Sequence, residues 1–312
     1  MRILMFGRGV IATIYGQAFQ AAGHDVEFYV RPGRVAEYGD DVRTDLIDGR
    51  RARLGRRTTS TFGTRLRESI EPDDGFDLIV LSVAHHRLGE AAAYLAPRVG
   101  EATVLVFGNV WDEPLAAVAP LPADRVVFGF PQAGGGFGAD GVLHGALLRS
   151  VILGTVGASP SRREPDVRVP FQQAGFAVKE QPDMRGWLLL HFAADAGMFA
   201  QARRSGGLAN MIGDRRALRE TFLTSRELLP VLQRRGVDLR RHRIATLPIR
   251  LPRSTATMSA WATAHLPIAR ASLAAHTDPN AAEPRAVLQD ALGTARRLDI
   301  ATPRLERSVR GA

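Results

Sequence analysis

The chain has 312 residues, of which 45% are hydrophobic and 23% charged, and it contains no cysteine. This length suits two globular domains, and the lack of thiols excludes disulfides, thiolate metal sites and a cysteine nucleophile. The formal net charge of +9 comes from arginines scattered along the chain, without the interleaved aromatic residues of a nucleic-acid surface, so we expect no nucleic-acid partner. No apolar run reaches the roughly 18 residues of a membrane span and the N-terminus lacks a targeting pattern, so we expect a cytoplasmic protein that does not bind membranes.

The N-terminus has the most informative pattern in the chain, a strand, a glycine turn, a helix and a second strand. Residues 2–6 form a short apolar run typical of a buried parallel strand. A helix to residue 22 and a strand over residues 24–30 follow the turn. In this context a G-x-G-x-x-[G/A] sequence predicts dinucleotide binding. That sequence is Gly7-Arg8-Gly9-Val10-Ile11-Ala12.

Each small residue of this sequence has a physical role. Gly7 permits the tight turn, Gly9 lets the backbone approach a pyrophosphate, and Ala12 lets the helix pack closely on the strand. The first helical turn also offers unpaired N–H groups and a positive dipole end to the phosphates. The alternative interpretation is an ordinary glycine turn between a strand and a helix.

The end of the second predicted strand indicates which dinucleotide binds. An NAD site places an acidic residue there, which accepts hydrogen bonds from the ribose 2′-OH. This chain instead has Arg31, followed by Arg34, and the planar donors of a guanidinium group suit a phosphate. The sequence therefore predicts NADP(H), with Arg31 as the first ligand of the 2′-phosphate and Arg34 as the second. The alternative is two solvated arginines.

The middle of the chain adds strands and the loops that follow them. Strands are predicted at 76–83, 102–107, 125–130, 150–154 and 176–179. A hairpin is predicted at Asp48-Gly49 within 45–54, residues 55–75 are polar and mixed, and a flexible glycine-rich stretch begins at 134–136. Ligands bind at the carboxyl ends of such strands. We therefore expect Ser82 and Arg87 beside the cofactor, Asn109 beside the nicotinamide or substrate, and Trp111 as a wall of the pocket. For Asn109 the alternative is a role in its own turn.

The pattern changes to helical segments from Asp183 onward. Helices are predicted from 184 to about 202, over 215–235, from about 255 to 275 and over 281–298, and Trp261 is expected in the core. The predicted fold class is therefore α/β, with an N-terminal Rossmann-type doubly wound sheet over residues 1–180 and an all-helical C-terminal domain over residues 181–312. His85 and His86 lack a third ligand, so no metal site is predicted.

The chain resembles the ketopantoate reductases along nearly its whole length. The resemblance is carried by the first twelve residues, by Arg31, by Phe107-Gly108-Asn109 and by the closing segment over 295–303. It implies an NADPH-dependent reduction of a ketone beside a carboxylate, in a small-molecule carbonyl or imine substrate. A homodimer formed through the helical domain is also an expectation of this resemblance.

The resemblance carries only part of the family's site onto this chain. It implies a proton-donating lysine on the first helix of the second domain, asparagines that hold the substrate, and a glutamate near the C-terminus. Asn109 and Glu283 match. With Trp187 as the anchor, Leu189 takes the place of the lysine, and two helix asparagines are also replaced, by Ala193 and Gly197. The only lysine, Lys179, precedes this helix, so the proton donor is missing or replaced.

Two residues on the same predicted helix could replace the lysine. His191 and Asp195 lie four residues apart and so share one face, and an aspartate beside a histidine favours the imidazolium form. His191 is the candidate acid, with Asp195 as its partner, Glu283 as a further catalytic residue and Trp187 beside the substrate. The alternatives are a packing role for His191 and stabilisation of a helix start by Glu283.

The sequence thus supports two functions. The first is an NADP(H)-dependent oxidoreductase that reduces a carbonyl or imine substrate. The second is a non-catalytic NADP(H)-binding sensor or regulatory protein, which the missing lysine and asparagines motivate. A different hydride transfer on the same fold, such as opine formation, is a weaker third hypothesis.

Overall fold

A computed structural model of the protein describes residues 1–52, 54–157, 161–274 and 282–310. The chain forms two compact units, Met1–Arg185 and Gly186–Ala312. The strands are β1 (Arg2–Phe6), β2 (Asp25–Tyr29), β3 (Asp41–Asp48), β4 (Arg56–Gly63), β5 (Arg65–Arg67), β6 (Leu78–Leu81), β7 (Thr103–Phe107), β8 (Val126–Phe130), β9 (Ala133–Phe137), β10 (Leu143–Leu147), β11 (Ser150–Gly154) and β12 (Ala177–Gln181). The helices are α1 (Val10–Ala21), α2 (Val35–Tyr38), α3 (Leu88–Leu95), α4 (Pro114–Ala117), α5 (Glu164–Gln173), α6 (Met184–Ser205), α7 (Arg215–Glu227), α8 (Leu229–Arg234), α9 (Arg243–Arg250), α10 (Pro252–His265), α11 (Pro267–Ala274), α12 (Ala282–Arg297) and α13 (Pro303–Arg310).

The first unit is built on an eight-stranded sheet in the order β12-β11-β8-β7-β6-β1-β2-β5. Neighbouring strands from β8 to β5 are parallel, and β11 runs antiparallel to β8. Every residue of β6, β7 and β8 is buried, as expected for the apolar strands of a parallel sheet. The strand order reverses at β1, which pairs with both β2 and β6 and is therefore the switch point at which such sheets bind ligands. The predicted α/β fold class, with a Rossmann-type sheet and a helical C-terminal region, is confirmed.

An aromatic cluster fixes α1 on this sheet. The ring of Tyr15 lies 4.9 Å from Phe107 of β7, and Phe19 lies 5.0 Å from Phe171 of α5. These side chains are fully buried, and burying each ring contributes on the order of 2 kcal/mol. The Tyr15 hydroxyl also accepts a hydrogen bond from the Gln132 N–H at 3.1 Å. The N-terminus of α1 is therefore held in one position on the sheet.

A second sheet, in the order β4-β3-β10-β9, corrects the position of the predicted hairpin turn. The hairpin exists, but β3 ends at Asp48 and pairs with β4, which starts at Arg56, so the predicted turn at Asp48-Gly49 is wrong. Arg53 lies outside the described residues. Because β4 is almost entirely exposed, its sequence is rich in arginine and threonine and lacks the apolar alternation that identifies a half-buried strand.

The glycine-rich stretch is strand β9 and not a flexible segment, which corrects the prediction for residues 134–136. A Cβ at Gly135 would stand 2.6 Å from the His144 carbonyl oxygen and 3.1 Å from the Val10 side chain. Contacts this short exclude any larger residue. The glycines thus let β9 lie tightly between β10 and the first turn of α1.

The second unit is helical. Two predicted segments are each divided near a proline, because Pro230 lies in the first turn of α8, after the end of α7, and Pro267 starts α11 after α10. Ala275 and Ala281, which end and start two predicted helices, lie outside the described residues. The expectation of a core position for Trp261 is wrong, because 59% of this residue is exposed. Helix α10 buries only small or short side chains, which are Pro252, Ala256, Ala260 and Thr263.

Within the described part of the chain, no helix combines the length and the apolar character that a membrane crossing needs.

Candidate functional site

The turn between β1 and α1 leaves its backbone open to a ligand. Gly7 has φ +104°, a left-handed conformation that favours glycine, and its N–H donates to the Tyr29 carbonyl at 2.9 Å. A Cβ at Gly7 or Gly9 would meet no atom within 4 Å. No described side chain caps the start of α1 at Val10. The first amides of this helix thus face open space, which is the arrangement that binds phosphate groups.

The two predicted phosphate ligands follow the end of β2 and differ in their partners. Arg31 is exposed, and among the described residues no carboxylate lies within ion-pair distance of it. Arg34 forms an ion pair with Glu37, with 2.8 Å between its Nε and the carboxylate. Arg31 is therefore available to an incoming anion, whereas the charge of Arg34 is partly neutralised.

The loop that carries these arginines is anchored by a residue that the sequence did not indicate. The N–H of Val35 donates to the Glu68 carboxylate at 3.0 Å, and the N–H groups of Gly33 and Arg34 also point to it. These backbone hydrogen bonds hold the pKa of Glu68 below its ordinary value. Glu68 follows β5 and lies far from the loop in sequence, so no local pattern could reveal its role.

Ser82 and Asn109 lie in the loops that follow β6 and β7, the strands next to β1 on one side. Because the carboxyl ends of parallel neighbours meet at one edge, both loops lie at the same edge of the sheet as the glycine turn. A Cβ at Gly108 would be only 3.6 Å from the Val83 carbonyl oxygen, so the two loops are in close proximity. The Ser82 hydroxyl is buried and has no hydrogen-bond partner within the described chain, which suits a polar ligand atom.

Arg87 and Trp111 occupy the same two loops. The Arg87 guanidinium pairs with Glu90 at 3.1 Å, so this predicted cofactor ligand already has a carboxylate partner. Trp111 is 4% exposed, and its role as a wall of the pocket stays a prediction. The described residues contain no group of three or more His, Asp or Glu side chains that could hold a metal ion.

The first unit therefore fits a dinucleotide. The open glycine turn offers backbone N–H groups to a pyrophosphate, the Arg31 guanidinium offers donors to a further anion, and the Ser82 hydroxyl lies at the edge where the rest of the ligand would lie. The glycine turn and Arg31 belong to the β1–α1–β2 unit, and Ser82 follows the neighbouring strand β6.

In the second unit, α6 brings three predicted site residues together. His191 Nε2 lies 3.5 Å from Asp195 Oδ1, and the imidazole ring stacks on Trp187 with 5.0 Å between ring centroids. Asp195 is 8% exposed, so its carboxylate is largely shielded from water. The predicted sharing of one helix face thus produces an imidazole held between an indole ring and a carboxylate.

Glu283, at the start of α12, belongs to the same electrostatic environment. Burial, followed by the negative charge of Asp195, raises the pKa of Glu283 to about 7. A carboxyl group with this pKa is protonated in about half of the molecules at neutral pH and can give or take a proton there. Asp195 therefore faces an imidazole on its own helix and acts on a second carboxyl group from α12.

The position that the resemblance assigns to the lysine is buried, and the position of one asparagine is closely packed. Leu189 is fully buried. A Cβ at Gly197 would lie 2.6 Å from the Thr221 carbonyl oxygen and would also collide with the Ser225 hydroxyl. Helices α6 and α7 thus approach so closely at Gly197 that an asparagine cannot be accommodated there. The alignment of these positions with the family's residues stays a prediction.

The fold and the glycine turn define a class, the α/β proteins with a Rossmann-type dinucleotide-binding domain followed by a helical domain. The family model of ketopantoate reductase PanE/ApbA matches residues 3–157, which include the glycine turn, Arg31 and Asn109. This part of the chain is therefore a domain of the ketopantoate reductase family. No curated protein sequence matches the chain significantly.

Solved structures with the same fold cover both units. A 2-dehydropantoate 2-reductase from Geobacter metallireducens GS-15 has a TM-score of 0.66 at 17% identity, over 98% of this chain and 97% of that one. A 2-dehydropantoate 2-reductase from Methylococcus capsulatus has a TM-score of 0.62 at 19% identity, over 99% and 94%. A ternary structure of D-mandelate dehydrogenase with NADH and anilino(oxo)acetate has a TM-score of 0.72 at 13% identity, over 99% and 96%. At these identities the similarity shows a shared fold.

Proposed function

We propose that the protein is an NADP(H)-dependent oxidoreductase that reduces a ketone beside a carboxylate, or a related carbonyl or imine substrate. The observation that carries this proposal is the glycine turn, which leaves the uncapped start of α1 open beside the exposed Arg31. Membership of the ketopantoate reductase family supports it. The solved structures that share the fold include a 2-dehydropantoate 2-reductase and a D-mandelate dehydrogenase with NADH, which also supports it.

The first unit would hold the cofactor, which supplies a hydride when it is bound. The N–H groups at the start of α1 bind the pyrophosphate, and Arg31 with Arg34 binds the 2′-phosphate. Ser82 and Asn109 orient the part of the cofactor that lies beyond the carboxyl edge of the sheet. Arg87 is the weaker assignment of this set, because Glu90 already neutralises part of its charge.

The second unit would supply the proton that a reduced carbonyl oxygen needs. His191 lies beside Asp195 and can donate a hydrogen bond or a proton to that oxygen. Glu283 exchanges a proton near neutral pH because its pKa is about 7. In this proposal His191 is the donor and Glu283 restores its proton, while Asn109, Trp111 and Trp187 contact the substrate.

Consumption of NADPH with a panel of 2-oxo acids, other ketones and cyclic imines tests this proposal. We expect turnover with at least one class, and a loss of about 100-fold or more in kcat in His191→Asn and in Asp195→Asn. The matched control is His265→Asn, because His265 follows Trp261 at the same spacing with 5.6 Å between ring centroids but lies exposed on α10. Equal losses in the control and in His191→Asn would contradict the catalytic role.

A non-catalytic NADP(H)-binding sensor is the second candidate. The buried Leu189 favours it, since a leucine cannot donate a proton where the resemblance places the lysine. The close contact at Gly197 also favours it, since it excludes an asparagine there. Tight NADPH binding without turnover across the panel would establish this alternative. Homodimer formation and a cytoplasmic location complete the proposal, and light scattering after size-exclusion chromatography tests the first of these.

A further inference from the structure

Arg8, the variable residue of the glycine turn, contacts the loop that follows β2. Its guanidinium carbon lies 4.8 Å from the ring centroid of Tyr38, and its Nη2 donates to the Asp41 carbonyl oxygen at 3.1 Å. Arg34 contacts the same ring, with its guanidinium carbon 5.4 Å from the centroid and its Nη2 3.5 Å from the Tyr38 hydroxyl. One aromatic ring at the end of α2 therefore holds two guanidinium groups that come from different loops.

The charge of Arg8 has no counter-ion in the described chain. No described carboxylate lies within ion-pair distance of it, and its Nε is buried without a hydrogen-bond partner. Burial lowers the pKa of Arg8, yet a guanidinium group stays protonated in proteins. A partly buried cation with an unused donor is unfavourable by itself, and an anion that reaches the guanidinium would remove this cost.

The positions of the three arginines around this loop suggest which anion that is. Arg8 lies between the two glycines of the turn, and the Gly7 N–H donates to the Tyr29 carbonyl, so the turn is fixed to the end of β2. Arg31 follows that strand two residues later and has no carboxylate partner in the described chain. The N–H groups of Gly33, Arg34 and Val35 point to the Glu68 carboxylate, so these three amides are not available to an anion. The guanidinium groups are therefore the donors that we assign to it.

We propose that Arg8 is a third ligand of the cofactor's 2′-phosphate and that Tyr38 is the platform that positions Arg8 and Arg34 for it. This inference rests on the proposed function and adds two specificity-determining residues to Arg31 and Arg34. The phosphate is met by one guanidinium from the glycine turn and by others from the end of β2. NADH has no group that uses Arg8 in this way, so Arg8 contributes to preference and not to general dinucleotide affinity.

Calorimetric titration with NADPH, NADH and 2′,5′-ADP tests the assignment without any turnover measurement. In Arg8→Ala we expect affinity for NADPH and for 2′,5′-ADP to fall by about tenfold or more, with NADH affinity changed by less than about threefold. Tyr38→Leu should give a smaller loss in the same direction, whereas Tyr38→Phe should retain most of the preference. Arg43→Ala is the matched control, because Arg43 is an exposed arginine that donates to the Asp140 carbonyl oxygen at 2.6 Å on the neighbouring sheet.

The outcomes separate this inference from the proposed function. A wild-type protein that binds neither dinucleotide contradicts both. If the wild type prefers NADPH and Arg8→Ala keeps the wild-type ratio of NADPH to NADH affinity, the assignment of Arg8 is wrong and the proposed function stands. Circular dichroism checks the fold of each variant. If the alanine variant misfolds, Arg8→Lys provides a second test: the lysine keeps the charge, so we expect the preference for NADPH to be partly retained. Full retention of the preference would contradict the role of the stacked planar guanidinium group.

Discussion

The two candidate sites of this protein are built in different ways. The site in the first unit consists mainly of backbone N–H groups at the start of α1, exposed because Gly7 and Gly9 have no side chains. The group in the second unit consists of side chains, with His191 and Asp195 on α6 and Glu283 on α12. Backbone N–H groups can bind any ligand that carries a diphosphate, whereas side chains determine which proton transfers are possible. The backbone site can therefore stay the same while the side-chain site changes.

The largest expected effect lies in the side-chain site. Glu283→Gln removes the group whose pKa is about 7, and we expect the rate of carbonyl reduction to fall by about 100-fold. The protonated carboxyl dominates below about pH 7, so the wild-type rate should decrease as the pH rises through this value, and the variant should lack that limb. NADPH binding by calorimetry should be unchanged. A variant with a wild-type pH–rate profile would contradict the role of Glu283.

The same carboxyl makes stability depend on pH. Because the folded-state pKa is above the ordinary 4.5, the stabilising contribution of the neutral form is complete below that value and is lost as the pH rises through about 7. Glu283→Gln should therefore raise the free energy of unfolding at pH 8 by up to about 3 kcal/mol and change it little at pH 4. Urea unfolding at both pH values measures this, and an equal change at both would contradict it.

Alanine substitutions at two helical glycines test how closely α6 and α7 pack in the second unit. Gly197→Ala should destabilise the protein by about 2–3 kcal/mol, because the new Cβ collides with α7 at Thr221 and Ser225. Gly293→Ala, on α12, meets only the flexible end of Arg297 at 3.6 Å and should stabilise by about 0.5–1 kcal/mol. Thermal and denaturant unfolding give both values. The same sign for both variants would show that the α6–α7 contact is looser than described.

Arg31 tests the side-chain part of the first unit. Arg31→Ala should lower NADPH affinity by about tenfold and leave NADH affinity nearly unchanged, because only the 2′-phosphate uses this residue. Arg34→Ala should have a smaller effect, since Glu37 already neutralises part of the Arg34 charge. Fluorescence or calorimetric titration with both cofactors measures these changes. If the preference between the cofactors does not change in Arg31→Ala, Arg31 is a solvated residue.

The smallest effect is expected at Trp261. Because 59% of this residue is exposed, Trp261→Ser should change the free energy of unfolding by no more than about 0.5 kcal/mol. Chemical denaturation measures the change. The reference is the same substitution at Met198, whose side chain packs against the helical core. A loss of several kcal/mol would show that Trp261 is buried in solution.

Much of the first unit could be predicted from its sequence because its structure is locally encoded. The buried strands are apolar runs, and the glycine turn, its helix and Arg31 follow one another within 31 residues. The missed strand β4 is exposed and polar. Strand β9 is rich in glycine because it lies in close contact with β10 and Val10. Neither has the apolar alternation by which a strand is recognised.

The second unit and the outer parts of the cofactor site were less predictable, because they depend on tertiary contacts. The spacing of His191 and Asp195 predicted their common face, but the raised pKa of Glu283 needs burial and the nearby Asp195 charge. Tyr38 and Glu68 have no motif. Their importance comes from the arginines and backbone amides that the fold places beside them. Trp261 was misplaced because hydrophobicity alone does not tell which face of α10 is buried.

Calorimetric titration of the purified protein with NADPH, beside Gly9→Asp, tests the central claim most directly. The wild type should bind one NADPH per chain, and the variant, whose carboxylate would enter the open space above the start of α1, should lose affinity by about 100-fold or more. Gly89→Ala, in a helix of the same unit with no atom within 4 Å of the added Cβ, should bind like the wild type. Absence of NADPH binding to the wild type, or unchanged binding in Gly9→Asp, would contradict the account.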